Sequence, residues 1–160
     1  MLETKTNDHR RSPLPPIMML CVLLLLLLHG THAETVAQRQ ALTDFYWSTG
    51  GSGWSSSCRN GWSSLPMNRT PPTNGFCDSS SSRYSTYYGI TCSAQNGIVT
   101  RLDLYSCNLQ GTLTASLGTL TELQHLYLDR NQLNGTLPGE WSAMTGLQRL
   151  QLYANNLIGK

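Results

Sequence analysis

The chain has 160 residues, 39% of them hydrophobic and only 12% charged, with a formal net charge of +2, which leaves room for one modest domain and excludes a large multidomain enzyme. Its eleven basic residues stand singly apart from Arg10 and Arg11 at the extreme N-terminus, so the clustered positive surface that nucleic acid demands is not expected. Of the four histidines, His9, His29 and His32 fall within the first 33 residues; a mature chain left with His125 alone cannot build a multi-histidine metal site, and no metal or cofactor is expected.

Residues 1–33 carry the three parts of a secretory signal: basic Lys5, Arg10 and Arg11, the twelve-residue apolar run from Ile17 to Leu28, and small Thr31 and Ala33 at the exit. A bilayer span needs about 20 apolar residues, so the run reads as a leader cut after Ala33. No second apolar span and no lipid-anchor signal follow, which predicts no membrane span once the leader is gone. Cys21 leaves with it, and Cys58, Cys77, Cys92 and Cys107 remain in an oxidising compartment where disulfides are the default. Consecutive gaps of 19, 15 and 15 residues do not resemble the close pairs of a zinc site.

Thr35 and Gln38 have the spacing of a capping box, and Ala37, Ala41, Leu42, Phe45 and Tyr46 recur at helical spacing until Gly50-Gly51, which predicts one short amphipathic helix. From Ser52 to Tyr88 the chain turns to Ser, Gly, Pro, Asn and aromatic residues, including Trp54, Trp62 and the run Ser79–Ser82, and reads as loop. A connection this long should be pinned by at least one disulfide, Cys77 to Cys92 first among the pairings. Trp54 and Trp62, beside Gly and Cys, read as a small core in preference to a sugar-stacking pair.

From Val99 the sequence becomes periodic, with a 24-residue repeat marked by Leu102, Leu126 and Leu150. Each unit fits L-x-x-L-x-L-x-x-N/C-x-L, with Cys107, Asn131 and Asn155 in the polar slot, and the expected fold is α/β: a short leucine-rich-repeat solenoid with parallel strands on its concave face and a helical, disulfide-pinned cap. Leu102 and Leu104, Leu126 and Leu128, and Leu150 and Leu152 alternate at strand spacing and should point inward. The Asn131 and Asn155 amides can serve backbone groups left unpaired by the bend after each strand. Cys107 holds the same inward slot and reads as a buried free thiol, with a disulfide to Cys58 as the alternative; on the first reading Cys58 is left to pair with another chain. The expected divisions are a signal over 1–33, a cap over 34–98, and repeats over 99–122, 123–146 and a partial 147–160. The last unit has no visible cap, so the stretch after Ala143 should fray in isolation, or the native product continues beyond Lys160.

The segments Leu109-Gln-Gly-Thr-Leu113 and Leu133-Asn-Gly-Thr-Leu-Pro138 resemble the LxGxLP segment of plant-type extracellular leucine-rich-repeat proteins, although Thr114 replaces the proline in the first. The stretches ALTDFYWSTGGSGW from Ala41, YYGITC ending at Cys92 and NGIVTRLDL from Asn96 resemble the N-terminal cap of that class. GTLPGEWSAMTGLQRLQL is similar in phrasing to the protozoan surface-antigen leucine-rich-repeat family, with plant receptor or inhibitor ectodomains as the second resemblance. These likenesses cover about residues 41–160 and imply a recognition fold without naming a ligand.

The side chains between the strand leucines should form columns on the concave side: Arg101, His125 and Arg149; Asp103, Tyr127 and Gln151; Tyr105, Asp129 and Tyr153, with Arg130 beside them. Tyr and Arg anchor interfaces, which makes these columns a candidate patch for a protein or glycan, against the plainer reading of a solvated face. Catalysis would have to start from His125 near Asp103 or Asp129 with Ser106 as a hydroxyl, and an open sheet offers no pocket for it, so no enzyme is expected. Asn134 and Asn68 head N-glycosylation sequons, the second followed by Pro71; the Asn134 sequon is expected on a convex-side turn, and the Ser79–Ser82 run is a weaker candidate for O-linked sugar. The reading is a secreted or cell-surface recognition module. The alternatives are the N-terminal piece of a receptor ectodomain and a truncated product without an independent role.

Overall fold

The computed structural model describes residues 34–77, 85–95 and 97–159. The leader expected over 1–33 and the Ser79–Ser82 run lie outside the described residues.

Helix α1 spans Val36–Ser48 and opens on the expected capping box: Gln38 N–H donates to Thr35 Oγ1 at 3.2 Å, and Thr35 N–H donates to Gln38 Oε1 at 2.9 Å. Its inward face is Ala41, Leu42, Phe45 and Tyr46, as the spacing predicts, but Ala37 is exposed and Gln38 is buried in its place. The cap explains the exchange, because it folds the Gln38 side chain back against the chain, where its amide reaches the Thr119 carbonyl at 3.5 Å.

The coils carry two sheets. Strands β1 (Ile90–Cys92), β2 (Val99–Asp103), β4 (His125–Tyr127) and β6 (Arg149–Gln151) form the first, with β1 antiparallel to β2 and the others parallel. Leu102, Leu126 and Leu150 lie in register across it, one period apart. The second sheet, β3 (Gln110–Thr112), β5 (Gln132–Gly135) and β7 (Asn156–Leu157), is built from the two LxGTL segments and the Asn-Leu pair that follows Asn155 in the third coil, and the periodicity alone does not predict it. Asn134 therefore lies exposed in β5 and not in a turn. Short 3₁₀ turns at Ala115–Thr119 and Gly139–Ala143 close the coils, and α1 packs on the first of them. Gly111 shows why the segment needs its glycine: φ is 111°, and a Cβ there would stand 2.2 Å from the Ser48 carbonyl oxygen at the end of α1.

The core is continuous from cap to second coil. Leu102, Leu104, Leu109, Leu117, Leu123, Leu126, Leu128 and Leu133 are fully buried, whereas Leu150 in the third coil is 40% exposed and Ile158 is 64% exposed. Asn131 carries the bend: its Oδ1 accepts from Cys107 N–H and Leu109 N–H, both at 3.0 Å, and its Nδ2 donates to the Leu104, Leu128 and Asp129 carbonyls at 2.8–3.2 Å. Asn155 repeats this one coil later, accepting from Leu133 N–H and donating to the Leu128 and Leu152 carbonyls.

Cys107 is not a free thiol. It is bonded to Cys58, with the Cα atoms 5.7 Å apart, and Cys77 is bonded to Cys92 as expected. The inward slot of the first coil faces the cap instead of a preceding coil. There Ser55 N–H donates to the Cys107 carbonyl at 2.9 Å, which brings buried Cys58 against it.

Among its described residues, the stretch from Ser52 to Tyr88 carries short 3₁₀ turns at Gly51–Gly53, which overlaps its start, and at Trp62–Ser64, around an aromatic core. Trp54 and Trp62 are buried, stack edgewise with Phe45, Tyr46 and Tyr87, and donate from their indoles to the Thr49 and Tyr88 carbonyls, both at 2.9 Å. Polar groups near the start of α1 hold the loop as well: Glu34 Oε2 accepts from Phe76 N–H at 2.7 Å, and the Arg39 guanidinium donates to the Pro72 carbonyl at 3.3 Å.

Candidate binding face

Because side chains alternate across a strand, the leucines of β2, β4 and β6 that enter the core leave their neighbours on the open face. The ladder places Arg101, His125 and Arg149 in one row and Asp103, Tyr127 and Gln151 in the next. Beyond the strand ends the coils stay joined, with Ser106 N–H donating to the Asp129 carbonyl at 3.1 Å and Arg130 N–H to the Tyr153 carbonyl at 3.0 Å, so Tyr105, Asp129 and Tyr153 form the third row. In each coil the residue after this third row is left-handed: Ser106, Arg130 and Ala154.

Tyr105, Tyr127, Asp129, Gln151 and Tyr153 line an open concavity of about 570 Å³ with Arg101, Asp103 and Tyr88. His125, Arg130 and Arg149 lie outside that lining. Tyr88 was missed by the repeat reading because it belongs to the cap; the pairing of β1 with β2 carries it to the edge of the face.

The face is partly organised by its own contacts. The Arg101 guanidinium pairs with the Asp103 carboxylate and lies over the Tyr127 ring, 4.5 Å from its centroid. His125 stacks on Tyr127 at 6.1 Å, and the Arg130 guanidinium is 6.0 Å from the Tyr105 ring centroid. The ion pair is half exposed and worth at most about 1 kcal/mol, so it orients Arg101 more than it stabilises the fold.

Asp129 departs from the plain solvated-face reading. It is 1% exposed, and neither carboxylate oxygen has a partner at full hydrogen-bond distance and angle. The exposed Tyr153 phenol is turned toward that carboxylate, and hydrogen bonding to Asp129 holds the phenol above the ordinary tyrosine pKa, with desolvation and the carboxylate charge adding to the shift and Arg130 opposing it. Among the described residues no group of three His, Cys, Asp or Glu side chains comes together to hold a metal ion, and no helix is long and apolar enough to cross a membrane.

Residues 99–157 match the family model described as leucine rich repeat. Among solved structures, a chain of the BIR3–SERK2 complex from Arabidopsis thaliana is similar at 25% identity and a TM-score of 0.52, over 74% of this chain and 56% of that one. The BIR2 ectodomain from Arabidopsis thaliana gives 22% and 0.51 over 78% and 57%, and a chain of the PEPR1–AtPEP1 structure gives 21% and 0.51 over 75% and 18%. The chain spans little more than half the length of the first two and less than a fifth of the third. The fold is thus a leucine-rich-repeat solenoid, and its Cys58–Cys107 and Cys77–Cys92 bonds are of the sort that form in oxidising compartments.

Proposed function

We propose that this chain is a non-catalytic, secreted or cell-surface recognition module that binds another protein through its concave face. The observation that carries the reading is the gathering of Tyr105, Tyr127, Tyr153 and Tyr88 with Arg101 around one concavity, since Tyr and Arg give contact area and directed hydrogen bonds at little entropic cost. The organisation that goes with it is a leader over 1–33, a cap over 34–98 and repeats from 99. The LxGxLP-like segments and the GTLPGEWSAMTGLQRLQL phrasing, which resemble surface-displayed repeats of the plant and protozoan type, support this reading. Asn134 and Asn68 are exposed and take N-glycans on this reading; Asn134 lies on the second sheet, so its glycan leaves the concave face clear.

The test is photo-crosslinking on the producing cells, with the reactive residue placed at Gln151 or Tyr153 on the concave face and at Gln132 on the second sheet. Protein adducts that form from the concave positions and not from Gln132 support the reading. Equal labelling from both faces, or a glycan as the main concave adduct, overturns it.

A second reading, the front of a longer ectodomain, is favoured by the apolar side chains that the third coil presents, Leu150, Tyr153 and Ile158. The intact mass of the native product after glycan removal decides between the two: agreement with 34–160 and two disulfides supports the short module, and a much larger mass supports the longer protein.

A further inference from the structure

Burying a charged group without a partner is among the costlier things a fold can do, because the group gives up water and receives nothing in return. Asp129 is close to that condition, at 1% exposure with neither carboxylate oxygen in a hydrogen bond of full geometry and the mostly exposed Tyr153 phenol turned toward it. The cations of the face are committed elsewhere: Arg101 is paired with Asp103 and lies on Tyr127, and Arg130 faces the Tyr105 ring and the Tyr153 phenol. His125 stacks on Tyr127, and Arg149 stands exposed in the row farthest from Asp129. The backbone at the turn does not serve the carboxylate either; in the first coil, by contrast, Asp103 Oδ1 accepts from Tyr105 N–H at 3.4 Å.

Asp129 belongs to the middle coil, and one coil away on each side its row holds Tyr105, 47% exposed, and Tyr153, 57% exposed. Successive strands lie about 4.8 Å apart, so the two phenols flank the carboxylate within the reach of one side chain. Both rings are free enough in solvent to turn aside at little cost. Their π-faces attract cations, and the carboxylate between them supplies the acceptor.

From this arrangement we infer that the partner inserts a basic side chain, an arginine guanidinium or a lysine ammonium, onto the Asp129 carboxylate between Tyr105 and Tyr153. The inference rests on the reading of the concave face as protein-binding and adds the chemistry of the contact. A cation is favoured over a neutral hydroxyl because a hydroxyl would satisfy an oxygen and leave the net charge buried.

The test uses the mature chain, with 13C labels at the aspartate carboxyls and tyrosine rings, titrated with N-acetyl-arginine amide, its neutral isostere N-acetyl-citrulline amide, and maltose. The arginine probe should give saturable shifts at Asp129, Tyr105 and Tyr153 with an affinity about tenfold above that of the citrulline probe. Asp129→Asn keeps the side-chain shape and should abolish that preference. Tyr153→Ala, at an exposed position, should weaken the arginine probe without affecting the fold. Equal binding of the arginine and citrulline probes, no saturable shift at Asp129, or a shift produced by maltose alone overturns the inference. The two readings fail separately. Concave crosslinks that survive Asp129→Asn, with no arginine preference, refute this contact alone, whereas an arginine preference without concave crosslinks refutes the protein-binding reading.

Discussion

Replacing Asn131 by alanine removes an amide that accepts from Cys107 and Leu109 N–H and donates to three carbonyls. Asn131 is 8% exposed, and Leu109 and Cys107 are fully buried, so water cannot replace it readily. Each buried N–H left without an acceptor costs about 1–3 kcal/mol, so the two orphaned donors set a loss of about 2–6 kcal/mol. The carbonyls tolerate the change better because each keeps a second lone pair. Asn155 fills the same slot one coil later but is half-buried and accepts only from Leu133 N–H, and Asn155→Ala should cost about 1–2 kcal/mol. Urea unfolding followed by tryptophan fluorescence reads both losses by linear extrapolation. Hydrogen exchange should show the Cys107 and Leu109 amides losing protection in the first variant alone. If the two variants lose the same stability, or Asn155→Ala loses more, the account of the slot as a server of buried backbone is wrong.

The same method ranks the coils. Leu126→Ala should cost about 3 kcal/mol, and Leu150→Ala, at a side chain already 40% exposed, about 1 kcal/mol; native-state exchange showing residues 150–157 as protected as Leu126 would contradict this. The Cys58–Cys107 bond closes 49 residues and Cys77–Cys92 closes 15, so replacing both cysteines of the first pair by serine should cost about 4 kcal/mol against about 3 kcal/mol for the second. A reversed order by denaturant midpoint refutes the loop-length argument. Burial pushes the Glu34 carboxyl above its ordinary value of 4.5, against the Phe76 N–H bond and the Arg39 charge. The native state therefore binds that proton more tightly than the unfolded chain. The stabilising contribution is complete below 4.5 and is lost as pH rises through the raised native value. Glu34→Gln should flatten this part of the profile, and urea midpoints that stay parallel to those of the parent chain across the window would show that Glu34 does not titrate this way.

The solenoid was legible because its signal is local and repeated. Leucines at strand spacing, returning every 24 residues with an asparagine or cysteine in one slot, admit one parallel stacking, and the ladder joins Leu102, Leu126 and Leu150 in register. The capping box of α1 and the Cys77–Cys92 pair were legible on similar grounds, since a short run of residues carried each. The rows of the concave face follow from alternation alone, which identifies their members but not their environments.

What sequence could not decide was set by neighbours distant in the chain. Cys107 occupies an inward slot in every coil-level description, and only the cap folded against the first coil makes Cys58 its partner. The second sheet forms because stacked coils bring the two LxGTL segments and Asn156–Leu157 side by side, a pairing invisible within any one segment. Tyr88 reaches the face through the antiparallel pairing of β1. Asp129 looks in sequence like any polar residue of an outer row. It becomes a buried charge without a hydrogen bond of full geometry only when the flanking coils set their side chains around it, and burial is a property of the assembled surface that no single strand encodes.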